Sequence, residues 1–294
     1  MNGIMLIKIA IGSDVQAESK GVLIFAYDSK LDYVSIATVA AKLAKKHLGL
    51  PVTLVTNKTD INDSVFDQVI YKGLSGPQYE RSFNFTHSTE RTVWHNQNRS
   101  SAYELSPYDR TLLIDADYLM FNDSLGKLFE TELDFACFDD VYDLSGDTML
   151  EKGAVVGKPG VKMQWATVVY FRKCNLAQGV FEFMSLIKEN YTYYSALYDF
   201  SLELFRNDYT LSIALQTLTG YSESNFSKIP GKLITANTGT EILDVRDNGE
   251  VVLSWNSKDG KKNVTKIQNA NVHIMNKTTI VDPIVLEKLH KVAT

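Results

Sequence analysis

The chain has 294 residues, of which 45% are hydrophobic and 22% charged, and its formal net charge is −5. A chain of this length and composition can close a large core, which excludes a disordered, collagenous or disulfide-scaffold protein. The acidic balance disfavours duplex nucleic acid as the main partner, because that partner is held by an excess of lysine and arginine.

Neither a membrane span nor an export signal is apparent in the sequence. The apolar runs are far shorter than the ~20 residues that cross a bilayer, and the N-terminal residues lack the pattern of a secretory signal. We therefore expect a cytoplasmic protein. Cys137 and Cys174 each lie in an apolar segment, which predicts small buried thiols rather than a disulfide.

The first pattern, over residues 22–56, predicts a strand, a helix and a second strand. An apolar run ends at Ala26 and Tyr27, a loose helical period covers residues 31–48, and Gly49 precedes the apolar run 52–55. A glycine that stops a helix, followed by a short return, is typical of a βαβ crossover, so the two strands are expected to be parallel.

The middle of the chain alternates between predicted strands and helices. The expected strands are residues 68–71, 111–114, 133–138 and 166–171, and the expected helices are residues 88–103, 176–189, 195–205 and 208–218. This alternation indicates one α/β sheet domain. After Pro230 the pattern changes to short strands, and Asn248-Gly249 between the runs 242–246 and 250–255 predicts a hairpin.

The most informative motif is Asp115-Ala116-Asp117, which directly follows the β-rich run 111–114. Open α/β sheets bind ligands at the carboxyl ends of their strands. Two carboxylates placed there repel each other, and a divalent ion removes the conflict. Oxygen ligands suit Mg²⁺ or Mn²⁺ together with the oxygens of a substrate phosphate. A solvated turn is the alternative interpretation, which the apolar residues 118–120 disfavour.

The stretch from Tyr108 to Met120 resembles the Asp-x-Asp block of the retaining GT-A glycosyltransferases. It is most similar to family 8, which includes glycogenin-like and lipopolysaccharide galactosyltransferase-like enzymes. The resemblance implies an α/β fold of GT-A type, in which helices flank a Rossmann-like mixed sheet and a small antiparallel addition follows near the C-terminus. It also implies a single domain over residues 1–294, with a nucleotide-binding half at 22–120, an acceptor-side half at 121–229 and a C-terminal part at 230–294. That last part would carry the hairpin, a metal-ligand strand and a helix.

The same resemblance assigns residues to the donor site. Ala26, Tyr27 and Tyr33 occupy the place that receives uracil, with ordinary packing at a strand end as the alternative. Arg99 occupies the place of a basic residue that reaches the donor phosphates, which suits the planar fork of arginine; a solvated helix-face arginine is the alternative. Lys277 stands where the family has a lysine over the diphosphate, although the glycine that usually accompanies it is absent.

The resemblance also implies a metal and a catalytic group. His273 matches the histidine that is the third protein ligand, beside Asp115 and Asp117, to Mn²⁺ or Mg²⁺; a satisfied core histidine is the alternative. Gln164 would hydrogen-bond the sugar or the acceptor. Asp208 matches a helix start that binds the donor sugar or stabilises an oxocarbenium-like transition state, and an N-cap for a helix that starts at Tyr209 is the alternative.

Together these patterns predict a metal-dependent glycosyltransferase that moves a sugar from a nucleotide-diphosphate donor, with UDP favoured, to an unknown acceptor. Retention is implied by the resemblance alone. Three alternatives stay open: a nucleotide-sugar binding protein without transferase activity, a glycosyltransferase acting on a modified nucleobase, and a nucleotidyltransferase of similar fold. The last would need a glycine-rich loop after the first strand, and residues 25–32 contain no glycine. A homodimer also stays open.

Overall fold

The computed structural model describes residues 18–61, 64–73, 79–84, 89–95, 98–148, 155–202, 205–220, 227–257 and 259–294. In chain order the strands are β1 (Lys20–Phe25), β2 (Val52–Thr56), β3 (Gln68–Tyr71), β4 (Tyr79–Asn84), β5 (Thr89–Trp94), β6 (Arg110–Asp115), β7 (Tyr118–Leu119), β8 (Phe135–Phe138), β9 (Val141–Tyr142), β10 (Val155–Val156), β11 (Val161–Lys162), β12 (Trp165–Arg172), β13 (Ser227–Lys228), β14 (Leu233–Ala236), β15 (Glu241–Val245), β16 (Val251–Asn256), β17 (Lys262–Ile267) and β18 (Val272–Ile274).

The helices of the described residues lie mostly between strands of the main sheet. They are α1 (Tyr33–Leu48), α2 (Ala102–Leu105), α3 (Asn175–Glu189), α4 (Tyr191–Tyr198), α5 (Asn207–Leu218), α6 (Lys277–Ile280) and α7 (Pro283–Ala293), with 3-10 turns at Arg99–Ser101 and Ser124–Glu130. Within the described part of the chain, none of these helices has the length and apolar character that crossing a bilayer requires.

A seven-stranded sheet in the order β3-β2-β1-β6-β12-β8-β13 forms the centre of the structure. Strands β3, β2, β1 and β6 are parallel, whereas β12 runs antiparallel to both of its neighbours. Because β12 alone is reversed between them, β6 and β8 point the same way. The first residues of β12 therefore lie at the same edge of the sheet as the last residues of β1 and β6, and we call this edge the carboxyl edge.

Local signals explain why α1 forms where it does. The side chain of Asp32 accepts a hydrogen bond from the Ser35 amide at 2.9 Å, and Gly49 ends the helix in the left-handed conformation at φ 64°. Both are standard caps, since an aspartate satisfies a free amide and glycine adopts positive φ without strain. The βαβ unit predicted over residues 22–56 is confirmed, and its strands are parallel.

Alternating residues of the strands enter two separate cores. On β1, Val22 and Ile24 pack in the core beneath α1 and α7, and Leu23 and Phe25 pack in the core beneath α3, α4 and α5. This alternation is the two-residue period of a strand buried on both faces. The predicted α/β class, a mixed sheet flanked by helices, is confirmed.

The C-terminal region contains two small sheets rather than one. Strands β15, β16 and β17 form an antiparallel sheet, and its first turn is the predicted hairpin at Asn248-Gly249. Strand β18, by contrast, pairs in parallel with β14 and antiparallel with β7 in a four-stranded sheet. The predicted antiparallel addition is therefore confirmed for β15–β17, and the strand of His273 belongs to a different sheet.

Two predicted helices are wrong. In place of a helix over residues 88–103, β4 and β5 form an antiparallel pair, and helical turns begin only at Arg99; positions 88, 96 and 97 lie outside the described residues. Strand β5 contains Thr89, Thr92, Val93 and Trp94, which are residue types enriched in strands. The predicted helix at 195–205 is instead α4, which begins at Tyr191 and ends where Asp199 adopts φ 54°; positions 203 and 204 lie outside the described residues.

The two cysteines form no disulfide with each other. Cys137 is buried and Cys174 is partly buried, and both are free thiols. Burial raises the pKa of the Cys137 thiol, and the charge of Asp139 adds to this effect. The prediction of buried thiols is therefore confirmed for Cys137 and holds in part for Cys174.

Candidate functional site

The carboxyl edge gathers polar side chains where β1 and β6 lie side by side. Phe25, the last residue of β1, is in register with Asp115, the last residue of β6. Here β1 has β2 on one side and β6 on the other, so the strand order reverses between them. Such a reversal opens a crevice outside the strand ends, which is the usual ligand site of an open α/β sheet.

Asp115, Asp117 and His273 meet at this crevice. One ligand atom from each lies within 4.8 Å of the other two. His273 Nε2 is 3.4 Å from Asp117 Oδ1 and 3.9 Å from Asp115 Oδ2. Two carboxylates and an imidazole are suitable ligands for Mn²⁺, and the three side chains could hold a divalent ion together.

The second small sheet explains how residue 273 reaches residue 117. Strand β18 pairs with β7 so that His273 stands opposite Tyr118, and the amide of Ile274 donates to the Asp117 carbonyl at 2.9 Å. Strand β7 begins just after the Asp-x-Asp turn, so this pairing places the histidine beside the second carboxylate. This pairing of β18 with β7 brings together two residues that are 156 positions apart in the sequence.

Two cations of the protein also contact the carboxylates. Lys277 Nζ lies 2.5 Å from Asp117 Oδ2. The guanidinium of Arg99 donates to Asp115 Oδ1 and to the carbonyl of Ala166, and its side chain is 4% exposed. Each aspartate therefore has one cationic partner, and the formal charges of the four side chains sum to zero.

These contacts shift the pKa values in opposite directions. Partial burial raises the pKa of Asp115, and the negative charge of Asp117 reinforces the rise while Arg99 opposes it. Burial also raises the pKa of Asp117, but Lys277 and His273 outweigh it and hold that pKa below its ordinary value. For Lys277, burial lowers the pKa, and the charge of Asp117 overcomes this and raises it. Asp117 and Lys277 are thus kept ionised.

The three residues predicted to receive the base are buried beside this cluster. Ala26 and Tyr27 are fully buried, and Tyr33 is 3% exposed. Burial raises the pKa of Tyr27 to about 12, against a hydrogen bond from Asn98. Tyr33, the first residue of α1, is close enough to Lys277 to influence its pKa.

Gln164 and Asp208 lie at the start of β12 on the same edge. Gln164 is 1% exposed, and its backbone N–H donates to Ser212 Oγ at 2.7 Å. Asp208 Oδ1 accepts from the Ala166 amide at 2.9 Å. Helix α5 begins at Asn207, one residue before Asp208, and Arg206 is its N-cap residue. The N-cap alternative for Asp208 is therefore wrong.

Two charged residues at this edge were not predicted from the sequence. Arg206 forms an ion pair with Asp208, with Nη2 to Oδ2 at 2.9 Å. Asp28, three residues after the end of β1, accepts from the Val34 amide at 3.0 Å and pairs with Lys58 at 3.2 Å. A signal for Asp28 was present, because it is the first charged residue after a buried strand. Nothing in the local sequence indicates the pairing of Arg206.

Comparisons with known proteins found likenesses of fold. No protein-family model matches the chain, and no curated protein matches it. The glycosyltransferase GlyE from Streptococcus pneumoniae TIGR4 matches at 16% identity with a TM-score of 0.40, over 72% of this chain and 45% of that chain. This chain thus corresponds to less than half of the length of GlyE.

Two further solved structures that are similar to this chain are named for different activities. The galactosyltransferase LgtC, solved with donor and acceptor sugar analogues, matches at 14% identity with a TM-score of 0.42, over 71% of this chain and 72% of that chain. A putative glucose-1-phosphate thymidylyltransferase from Bacillus anthracis matches at 9% identity with a TM-score of 0.38, over 71% and 86%. All three TM-scores lie below 0.5, so nothing about the activity of this chain follows from them.

Proposed function

We propose that the chain is a metal-dependent glycosyltransferase of GT-A type that takes its sugar from a nucleotide-diphosphate donor, with a UDP-sugar expected. The observation that carries the proposal is the cluster of Asp115, Asp117 and His273 at the point where the strand order of the sheet reverses. This set of ligands suits an ion that also binds phosphate oxygens. Cationic side chains on either side of it suit a diphosphate.

In this proposal the three clustered side chains hold Mn²⁺ or Mg²⁺. The bound ion would neutralise the charge that develops on the leaving diphosphate. Lys277 would exchange its contact with Asp117 for a contact with phosphate, because it is the cation of the cluster that reaches Asp117 directly. Arg99 is enclosed by Asp115 and the Ala166 carbonyl, and its predicted contact with phosphate stays a prediction.

The remaining assignments give each part of the chain a role in binding. Residues 22–120 would bind the nucleotide, with Ala26, Tyr27 and Tyr33 near the base, residues 121–229 would face the acceptor, and residues 230–294 would complete the metal site. Gln164 and Asp208, at the start of β12 and α5, would contact the sugar. Asp208 would also stabilise positive charge on it in the transition state.

A panel of nucleotide sugars tests the proposal. Each is added with Mn²⁺ or with a chelator, and the melting temperature and the release of nucleoside diphosphate are measured. A ligand that binds the folded state at 100 times its Kd stabilises it by about 2.7 kcal/mol. We expect one donor to stabilise the protein only with the metal and to release nucleoside diphosphate, with water accepting the sugar in the absence of an acceptor.

Two variants make the test specific to the cluster. Asp117→Asn should abolish the metal-dependent stabilisation, and Asp123→Asn, at an exposed aspartate outside the cluster, should retain it. Stabilisation without release would indicate a binding protein. Stabilisation by a nucleoside triphosphate with a sugar phosphate would indicate a nucleotidyltransferase. Absence of any donor effect would overturn the proposal.

A further inference from the structure

Arg206 precedes helix α5 at the carboxyl edge, and its side chain folds back over the first turn of that helix. Its backbone is extended, at φ −131° and ψ 123°. Nη2 donates to Asp208 Oδ2 at 2.9 Å and Nε donates to the same oxygen at 3.2 Å. The guanidinium therefore approaches the carboxylate with two N–H groups, a geometry that lysine does not reproduce.

Aromatic rings hold the guanidinium in place. It lies 5.5 Å from the centre of the Trp165 ring and 5.1 Å from that of Tyr209. Both distances are within the range of cation–π contacts. The amide of Arg206 also donates to the Tyr191 hydroxyl at 3.3 Å. With 27% of its side chain exposed, Arg206 is fixed from several sides at once.

The other oxygen of Asp208 is bound by the backbone. Oδ1 accepts from the Ala166 amide, while the Ala166 carbonyl accepts from Arg99, which contacts Asp115. One residue, Ala166, therefore connects the carboxylate of Asp208 to the Asp-x-Asp cluster, through its N–H on one side and its carbonyl on the other. Three N–H groups, from Arg206 and Ala166, fix the plane and the position of the Asp208 carboxylate relative to that cluster.

We propose that Arg206 is a positioning residue that orients the carboxylate of Asp208 toward the donor sugar, an inference that rests on the proposed function. An aspartate in the first turn of a helix is otherwise free to rotate about two bonds. Misplacement of a reacting group by about 1 Å lowers a rate by roughly 100-fold. The contacts that Arg206 makes with Asp208 therefore affect turnover rather than donor binding.

Chemical rescue tests this role. Arg206→Ala should lower kcat for donor cleavage by roughly 10- to 100-fold while KM for the donor changes by less than roughly threefold. Guanidinium ion at tens of millimolar should restore part of the lost kcat, because it re-forms the contacts with Asp208. Urea has a similar shape without the charge, and it should not restore kcat.

Two further variants serve as controls. Arg206→Lys, which keeps the charge and most of the volume, should fold and still show reduced kcat, since it lacks the two-pronged contact. Arg172→Ala removes an equally exposed arginine from the far end of β12, where it pairs with Glu132 and Asp134. Arg172→Ala should keep wild-type kcat, and guanidinium should not change it.

The outcomes separate this inference from the proposed function. A wild-type protein that cleaves no nucleotide sugar overturns both. An active wild type with unimpaired Arg206→Ala and Arg206→Lys overturns only the positioning role. A fall in kcat that guanidinium does not restore, or that appears equally in Arg172→Ala, also overturns it, because loss of stability alone would then account for the change.

Discussion

The two carboxylates of the Asp-x-Asp motif are each paired with a cation of the protein. The sequence predicts a conflict between two like charges that a metal would resolve. In the structure Arg99 and Lys277 already balance Asp115 and Asp117. A divalent ion would therefore enter a neutral cluster and compete with Lys277 for the carboxylate of Asp117.

Lys277→Met should strengthen metal binding in the absence of donor. Loss of the competing ammonium should raise Mn²⁺ affinity by up to roughly tenfold, which corresponds to about 1.4 kcal/mol, whereas donor affinity should fall because a phosphate partner is lost. Isothermal titration with Mn²⁺ and then with donor measures both. Lys127→Met, at an exposed lysine, is the control. Weaker Mn²⁺ binding in Lys277→Met would contradict the competition.

His273→Ala should weaken Mn²⁺ binding by more than roughly tenfold with little loss of stability. The imidazole contacts the carboxylates through Nε2 and is 13% exposed, so the substitution leaves a small gap at the edge of the core. Metal titration and thermal unfolding measure the two effects. Unchanged Mn²⁺ affinity with a large fall in melting temperature would instead identify a core histidine.

At the level of residues, the sequence predicts the chemical character of the site better than it predicts the contacts between its side chains. The residue types of Asp115 and Asp117 after a buried strand predict a metal site, the family resemblance adds His273, and the structure brings the three together. The position of the Asp208 carboxylate depends on how α5 packs against the reversed strand β12, because Oδ1 accepts from the Ala166 amide. No local period or spacing encodes that packing, so the contacts that fix the Asp208 carboxylate could not be predicted.

Elements with strong local signals were predicted well, whereas the polar strands β4 and β5 were not. Strands β1 and β2 carry continuous apolar runs, and α1 has standard caps at both ends. The β4–β5 pair is polar and forms a sheet of its own. Its sequence lacks the apolar alternation that marks a half-buried strand, which explains why a helix was predicted there.

The turn between β10 and β11 packs against the end of α4 through a glycine. Gly157 has φ 63°, and a Cβ atom there would lie 1.6 Å from the Tyr198 carbonyl oxygen, whereas Gly160, at φ 74°, faces open space. Gly157→Ala should lower the free energy of unfolding by roughly 2 to 4 kcal/mol. Gly160→Ala should cost only about 1 kcal/mol. Denaturant unfolding checks this, and equal losses would contradict the contact.

Asp139 joins three strands through two lysines. It follows β8, is 8% exposed, and contacts Lys162 of β11 at 2.8 Å and Lys228 of β13. Burial opposes ionisation, but the two lysines outweigh it and hold the pKa of Asp139 below its ordinary value. A lowered pKa means that the native state favours the charged form, so the contribution to stability is present above the unfolded pKa, near 4.

Asp139→Asn should therefore lower the free energy of unfolding by about 1 to 2 kcal/mol above pH 5, a value reduced by the partial exposure of both lysines. The difference from wild type should shrink as the pH falls below about 4, because the unfolded chain then takes up a proton that the native state binds only at lower pH. Urea unfolding at several pH values measures this. A difference that is constant with pH would show that the charge of Asp139 does not contribute to stability through the two lysines.

For the molecule as a whole, one core joins the beginning and the end of the chain. The same buried cluster contains Val22 of β1, Leu253 of β16 and Leu289 of α7. The sequence predicts a single domain from the alternation of its elements. It does not predict that α7 packs against both α1 and β15, because that contact depends on the direction in which the chain returns.

A shared core predicts one cooperative unfolding transition. Trp165 lies in the main sheet and Trp255 in the C-terminal antiparallel sheet. Variants that retain only one of these tryptophans, the others being replaced by phenylalanine, should show the same denaturation midpoint by fluorescence. Far-UV circular dichroism supplies the reference midpoint. Two separate midpoints would show that the C-terminal sheet unfolds independently.

Because β12 is reversed, the two sides of the crevice are connected to different loops, and evolution can alter one side without the other. Tyr27 and Asp115 reach the carboxyl edge from strand ends, and their connections lead into α1 and β7. Gln164 and Trp165 reach it from a strand beginning, and their connection is the β10–β11 turn. For a two-substrate enzyme of the proposed kind, insertions before β12 would diversify one side of the crevice while the Asp-x-Asp side keeps its register. Selection for a new acceptor then need not disturb the Asp-x-Asp cluster.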